Sequence, residues 1–226
     1  MYSLRTHPVT QRIKCTAGRM LSQSVESFVF VATPGRTGTK TLAKLCTAVP
    51  NCAAFHEPRP NMNGSILNAY SQNQKNVVEK YFKNYKVPAI YKACLDKTNY
   101  VETSHIFIKC FSDLAVKEFG QRMKVIHLQR DRHAVARSWM RMSSVPGKGF
   151  QGPWLPDPYA PEHYIKYEDI IKHSPDFNHE YFKCLWYWYE TEAQVLFFKK
   201  QFPHIPVLKL DTEDLSKAEI VIPLFT

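Results

Sequence analysis

Along the chain the apolar positions change period several times, and each change predicts an element. Phe28-Val29-Phe30-Val31-Ala32 is a continuous β-branched and aromatic run halted at Thr33-Pro34-Gly35. It predicts a strand buried on both faces with a turn behind it. Leu42, Leu45, Cys46 and Val49 then keep the i, i+3, i+4, i+7 spacing of an amphipathic helix, which Pro50 ends. Ile106-Phe107-Ile108-Lys109-Cys110 reads as a second strand, followed by a helix that Ser112 can cap and that carries Leu114, Ala115, Val116 and Phe119. Lys124 to Gln129 predicts another strand. Val135, Ser138, Trp139 and Met142 share one face of the helix behind it, which dissolves at Val145-Pro146-Gly147. From Gly147 to Pro161 there is no period, so this stretch reads as an irregular loop and a candidate substrate lid. A long helix is expected from His179 to Lys200, with Phe182, Leu185, Trp186, Tyr189, Ala193 and Leu196 in one stripe. Pro203 stops it, and Val207 to Leu210 predicts a last strand. Strands alternating with helices at these spacings imply an α/β fold, a three-layer sandwich with helices on both faces of a mostly parallel central sheet.

Composition narrows the class. The 226 residues fit one domain with a core of its own, taken as 26–226, behind a basic arm over 1–25. Hydrophobic content of 44% with 13% aromatics excludes a disordered basic chain. The formal net charge of +10 calls for an anionic partner. Phe28 to Ala32 is the longest wholly apolar run, far short of the ~18 residues that would cross a bilayer. The six cysteines are scattered without close pairs and are expected to be reduced and structural. Cys52 and His56 have no second ligand pair at zinc-site spacing, so no metal is expected. Arg5, Arg12, Lys14 and Arg19 precede the first acid, Glu26, a composition shared by loose basic arms and organelle transit peptides. With no signal peptide or membrane anchor visible, a cytoplasmic location is favoured over the Golgi lumen or an organelle.

Open parallel sheets bind ligands beyond the carboxyl ends of their strands, which directs attention to the residues after Ala32 and after Gln129. The first segment is Thr33-Pro34-Gly35-Arg36-Thr37-Gly38-Thr39-Lys40-Thr41. Its glycines let backbone amides converge, its hydroxyls add donors, Arg36 and Lys40 add charge, and a helix start adds its positive end. That is the design of a phosphate cradle, with an ordinary glycine turn as the competing reading. A nucleotide-binding P-loop needs four residues between its first glycine and a Gly-Lys-Ser/Thr, whereas here two residues separate Gly35 from Gly38 and Lys40 follows Thr39. The second segment runs from Gln129-Arg130-Asp131-Arg132 to Arg137-Ser138. Arg130 and Ser138 have the donors to share one phosphate. An Arg130–Asp131 ion pair and a plain helix-face serine are the alternatives.

Taken together, the two segments resemble the sulfotransferases that use 3'-phosphoadenosine 5'-phosphosulfate (PAPS). Pro34, Arg36, Thr37, Gly38 and Thr39 match that family's loop for the 5'-phosphosulfate, and Arg130 with Ser138 eight positions later matches its pair for the 3'-phosphate. Phe55-His56-Glu57-Pro58, Tyr100-Val101-Glu102-Thr103-Ser104, and Leu208-Lys209-Leu210 leading to Glu213-Asp214-Leu215 add to the likeness, as does the aromatic helix Trp186 to Phe198, which is similar to carbohydrate-type members. The resemblance implies a P-loop-NTPase-like fold and transfer of a sulfuryl group from PAPS to an acceptor hydroxyl, on a carbohydrate in the members most similar. It implies donor binding by Gly35, Arg36, Thr37, Gly38, Thr39, Lys40, Thr41, Arg130 and Ser138, with 3'-phosphoadenosine 5'-phosphate as product and no metal. Glu57 is the positional match for the base that takes the acceptor's proton, and Arg36 for the cation that meets charge growing on the leaving phosphate. Arg36 and Lys40 are expected to hold Glu57 ionised. A structural ion pair with those bases or Arg59, and His56 as base, compete for these roles.

Two departures stand out. Lys40 occupies a position where the family usually has a second threonine, and the chain ends at Thr226, soon after the last strand, where relatives continue. The apolar Ile220 to Phe225 closes it, and impaired activity is one expectation. Trp154 and Trp188 are candidates to stack on a sugar or phenol, with core packing as the competing explanation. The alternative functions are a non-catalytic nucleotide or polyanion binder of the same fold and a P-loop kinase or NTPase. The latter is opposed by Gln129-Arg130 standing where a magnesium-holding Asp should end the strand. A nucleic-acid module has no signature here.

Overall fold

The computed structural model describes residues 25–148, 154–217 and 219. The arm, apart from Val25, the Ile220 to Phe225 end and part of the 147–161 loop therefore lie outside the described residues. Val25 is itself core, almost fully buried.

β1 (Ser27–Ala32) leads through the turn at Gly35 into α1 (Thr39–Thr47) and then β2 (Cys52–Phe55). Three short helices follow, α2 (Ser65–Ser71), α3 (Lys75–Tyr81) and α4 (Val87–Ala93), the last two joined by a π-helical stretch Phe82–Lys86. β3 (Asn99–Glu102) precedes a second π-helical stretch, Phe107–Phe111, which runs into α5 (Ser112–Phe119). β4 (Met123–Gln129), α6 (Arg132–Arg141), α7 (Tyr167–His173), α8 (Glu180–Gln201) and β5 (Val207–Asp211) complete the order, with a 3-10 turn Thr212–Ser216 behind β5.

The sheet is five-stranded and parallel throughout, in the order β2-β3-β1-β4-β5. From β1 the chain works out to one side and then returns to the other. The crevice therefore opens beyond the carboxyl ends of β1, β3 and β4. Period-2 alternation divides the two faces. Phe28, Phe30, Tyr100, Met123 and Val125 join a core with α2 to α5 and the end of α8. Phe30 stacks on Phe107 at 5.0 Å and Phe28 on Phe119 at 4.3 Å. On the other face Val31, Val101, Ile126, Leu128 and Leu210 meet Leu42 and Cys46 of α1. This is the expected three-layer α/β sandwich.

One predicted strand is corrected. The run Ile106 to Cys110 is helical, with Phe107–Phe111 forming a π turn. Its residues are buried on all sides, so no periodicity separates strand from buried helix. The strand at this point of the chain is β3, four residues earlier. The cysteines meet expectation where described: Cys46, Cys52, Cys94, Cys110 and Cys184 are unpaired. Burial pushes the thiols of Cys46, Cys94, Cys110 and Cys184 up to about 12.

Candidate active site

The turn after β1 depends on its glycines. Gly35 and Gly38 have φ of +78° and +83°, which only glycine adopts without cost. At Gly35 a Cβ would come within 2.9 Å of the Trp139 ring and 3.3 Å of His105, so the missing side chain is also a packing requirement. Thr33 and Thr37 close the loop from within, their hydroxyls 2.6 Å apart and both residues fully buried. The Thr37 hydroxyl thus shapes the cradle from inside. Gly38 is the N-cap of α1, which leaves the first amides of that helix without carbonyl partners of their own. Thr39 and Lys40 line the cavity in front of them, while Thr41 is exposed outside that lining.

The segment after β4 meets this turn directly. The Arg130 guanidinium donates to the Arg36 carbonyl at 2.9 Å, and Arg36 Nε donates to Ser138 Oγ at 3.0 Å. Trp139 Nε1 donates to the Pro34 carbonyl, and Thr212 bridges the carbonyls of Thr37 and Gln129 at 2.8 Å each. Asp131 caps α6 through the Ala134 amide, so its carboxylate has a task other than pairing with Arg130. Trp188, one of the two stacking candidates, donates its indole N–H to the Arg130 carbonyl and holds that loop in place. Glu192 on α8 ties down the end of β4 by accepting from Gln129 and by facing His127 at 3.0 Å.

A cavity of about 310 Å³ opens between these loops and is lined by Arg36, Lys40, His56, Glu57, His105 and Trp154 among others. Glu57 follows β2 with φ of +48°, and Arg36 has φ of +60°. Both are non-glycine residues in the left-handed region, a conformation that costs energy and is held by its surroundings. Buried Lys86 helps anchor the Glu57 loop by donating to the Pro58 carbonyl at 3.4 Å, and it pairs with the fully buried Glu102 at 2.8 Å. Tyr100 supplies a further hydrogen bond to Glu102.

The close partners of the Glu57 carboxylate are histidines. His105 Nε2 lies 3.4 Å from Oε1 and His56 Nε2 4.0 Å from Oε2. The ring of His56 is anchored from its other nitrogen, which donates to the Thr103 carbonyl at 3.1 Å. Burial pushes the Glu57 carboxyl above its usual range. His56, Lys109, Lys40 and Arg36 all pull it the other way, and burial outweighs them. Arg36 and Lys40 thus favour the ionised form of Glu57, as expected, while burial raises the carboxyl by more than they lower it. His105 is driven well below its usual range by burial, then by Lys109, His56 and Arg36, and is neutral at physiological pH.

His105 and Lys109 were invisible in the sequence. His105 stands just before the run expected as a strand, and Lys109 lies within it. Assigning β3 correctly would have pointed to His105, three residues beyond its carboxyl end. Lys109, the lone charge in a buried apolar run, was the other available signal.

Among the described residues no group of three or more His, Cys, Asp and Glu side chains is placed to hold a metal ion, and no helix is long and apolar enough to cross a membrane. Comparison with protein-family models, curated proteins and solved structures finds no match for this chain.

Proposed function

We propose that this protein is a sulfotransferase, moving a sulfuryl group from PAPS to an acceptor hydroxyl, on a P-loop-NTPase-like version of the three-layer fold. The observation that carries this reading is the junction of the two anion-binding segments through Arg36 and Ser138. Residues 102 positions apart in sequence converge at adjoining strand ends, within reach of one doubly phosphorylated nucleotide.

The donor brings an activated sulfur with a phosphate leaving group, and the chain supplies everything else. The turn from Gly35 to Lys40 offers the start of α1, Thr39 and two cations for the 5' end. Arg130 and Ser138 suit the 3'-phosphate. The donor set fits such a ligand, since Gly35, Arg36, Thr39 and Lys40 line the cavity and Arg130 and Ser138, outside that lining, are joined to it through Arg36. Glu57 lines the same cavity as Trp154, where it can accept the proton of an entering hydroxyl. Burial raises the carboxyl's proton affinity, which makes it a stronger base once ionised. Arg36, reaching from the turn toward Ser138, can meet negative charge growing on the leaving oxygen, an interaction of the type worth ~100-fold or more in rate.

The test is incubation of the protein with donor carrying radiolabelled sulfur and a panel of glycans and phenols. Labelled product from any acceptor, lost in Glu57→Gln, is expected. Tight nucleotide binding without transfer to any of them would instead identify a non-catalytic binder. Hydrolysis of ATP with magnesium would identify an NTPase.

A further inference from the structure

We infer that Lys109, acting through His105, is the positioning residue that fixes where the Glu57 carboxylate points. The inference rests on the sulfuryl-transfer reading only for the use to which Glu57 is put.

Lys109 is 3% exposed, in the π turn Phe107–Phe111, and among the described residues no carboxylate forms an ion pair with it. A lysine so placed costs stability unless its donors are satisfied. All three are. Nζ lies 2.7 Å from the Trp154 carbonyl, 2.8 Å from His105 Nδ1 and 3.0 Å from the Tyr187 hydroxyl. A carbonyl only accepts, so one N–H is committed to Trp154. A second goes to His105 Nδ1, which must then present its lone pair. The proton of the neutral imidazole is thereby placed on Nε2, the nitrogen 3.4 Å from Glu57 Oε1.

Loss of a proton from Lys109 leaves this arrangement intact. Burial drives Lys109 well below its usual range, and the amine still has two N–H groups for Trp154 and His105. The Tyr187 hydroxyl then turns to donate into the amine's lone pair. In both forms His105 carries its proton on Nε2, the nitrogen 3.4 Å from Glu57 Oε1. The other groups facing this ring are His56 beside Glu57, Arg36 from the turn after β1, and Tyr187 from α8. Trp154 stacks on it at 5.9 Å and Trp139 lies at 5.6 Å. Lys109 therefore joins four segments: the loop after β3, the π turn, α8 and the cavity wall at Trp154.

The test is the imidazole ¹⁵N spectrum of the full chain, assigned with His105→Gln, without nucleotide or acceptor. The parent should show His105 neutral and protonated on Nε2 throughout the pH range in which free histidine titrates. In Lys109→Met that single tautomer should be lost. Turnover should fall on the order of 100-fold, as misplacement of a reacting group does, with product-nucleotide affinity unchanged. A parent ring carrying its proton on Nδ1 would overturn the inference, as would a Lys109→Met protein with an unaltered ring. Should Lys109→Met fail to fold, Tyr187→Phe decides, because it leaves Nδ1 its Lys109 donor: a retained tautomer supports the assignment and a lost one overturns it. The two readings fail separately. A ring as described in a protein that transfers no sulfuryl group contradicts the enzyme, whereas transfer by a protein with the opposite tautomer contradicts only Lys109.

Discussion

Arg36 Nε donates to Ser138 Oγ across 3.0 Å, joining the turn behind β1 to the second turn of α6. Arg36 makes this contact from a backbone φ of +60°, a conformation that costs energy. The contact has a consequence. A guanidinium held by Ser138 and by its own backbone bond to Arg130 loses little freedom when an anion arrives.

Arg36→Ala should therefore slow transfer more than it weakens binding of 3'-phosphoadenosine 5'-phosphate, since its largest contribution is expected while the leaving charge grows. Single-turnover rates set against calorimetric affinities check this. A variant that loses affinity and keeps its rate contradicts the assignment.

Arg130→Ala should weaken PAPS and its desulfated product equally, because the 3'-phosphate does not change during reaction. A charged hydrogen bond to phosphate is worth about 2 kcal/mol, or roughly 30-fold in Kd. Titration calorimetry with both nucleotides measures the ratio, and unequal losses would move Arg130 to the reacting end.

Glu57→Gln should keep nucleotide affinity while abolishing nearly all turnover. The parent's rate should rise with pH through a carboxyl value above the ordinary range, since the base acts deprotonated. Stability runs the opposite way. A carboxyl whose folded pKa is raised holds more protons folded than unfolded, so the parent loses stability as pH climbs from the unfolded value through the folded one. Glu57→Gln should thus melt above the parent at neutral pH, and the gap should close in acid. A variant less stable than the parent at neutral pH would make Glu57 a structural residue.

Gly35→Ala should cost at least about 1–2 kcal/mol from its left-handed backbone alone. The added methyl meets the Trp139 ring at 2.9 Å, so nucleotide binding should suffer with it. Denaturant melts and calorimetry test both. An unchanged midpoint would mean that the turn is not held as described.

Breaking the buried Lys86–Glu102 pair by Lys86→Met should destabilise by about 3–5 kcal/mol, because it strands an uncompensated carboxylate. Adding Glu102→Leu should recover part of that loss. The coupling in the double-mutant cycle is the readout, and additivity would show that the two charges do not depend on each other.

Much of the sandwich was legible where apolar periodicity is long. β1, β4, α6, α8 and β5 fall within a few residues of their predicted bounds, but the buried face of α8 is not the expected stripe: of those residues only Trp186 is buried, Tyr189 and Leu196 are exposed, and Cys184, Tyr187, Glu190, Thr191, Val195 and Phe198 turn inward. β2 and β3 escaped notice. They are four residues each, and β3 carries a buried Glu102 whose charge is satisfied by Lys86 from a segment 16 residues away, which no local pattern reveals. The run at Phe107 was misread for the opposite reason, being apolar on every side. The glycine turn after β1 and the basic segment after β4 could be read from residue type and spacing because backbone conformation and charge act locally there. The surroundings of Glu57 could not. His105, Lys109 and the Trp154 carbonyl meet it only after β3, the π turn and the 154 loop have folded against one another.

The central requirement is that one nucleotide touches both turns. Thermal unfolding of the parent with 3'-phosphoadenosine 5'-phosphate should show saturable stabilisation that Arg130→Ala diminishes, with no comparable shift from ATP and magnesium. Equal or greater stabilisation by ATP and magnesium, or none by the bisphosphate, would contradict it.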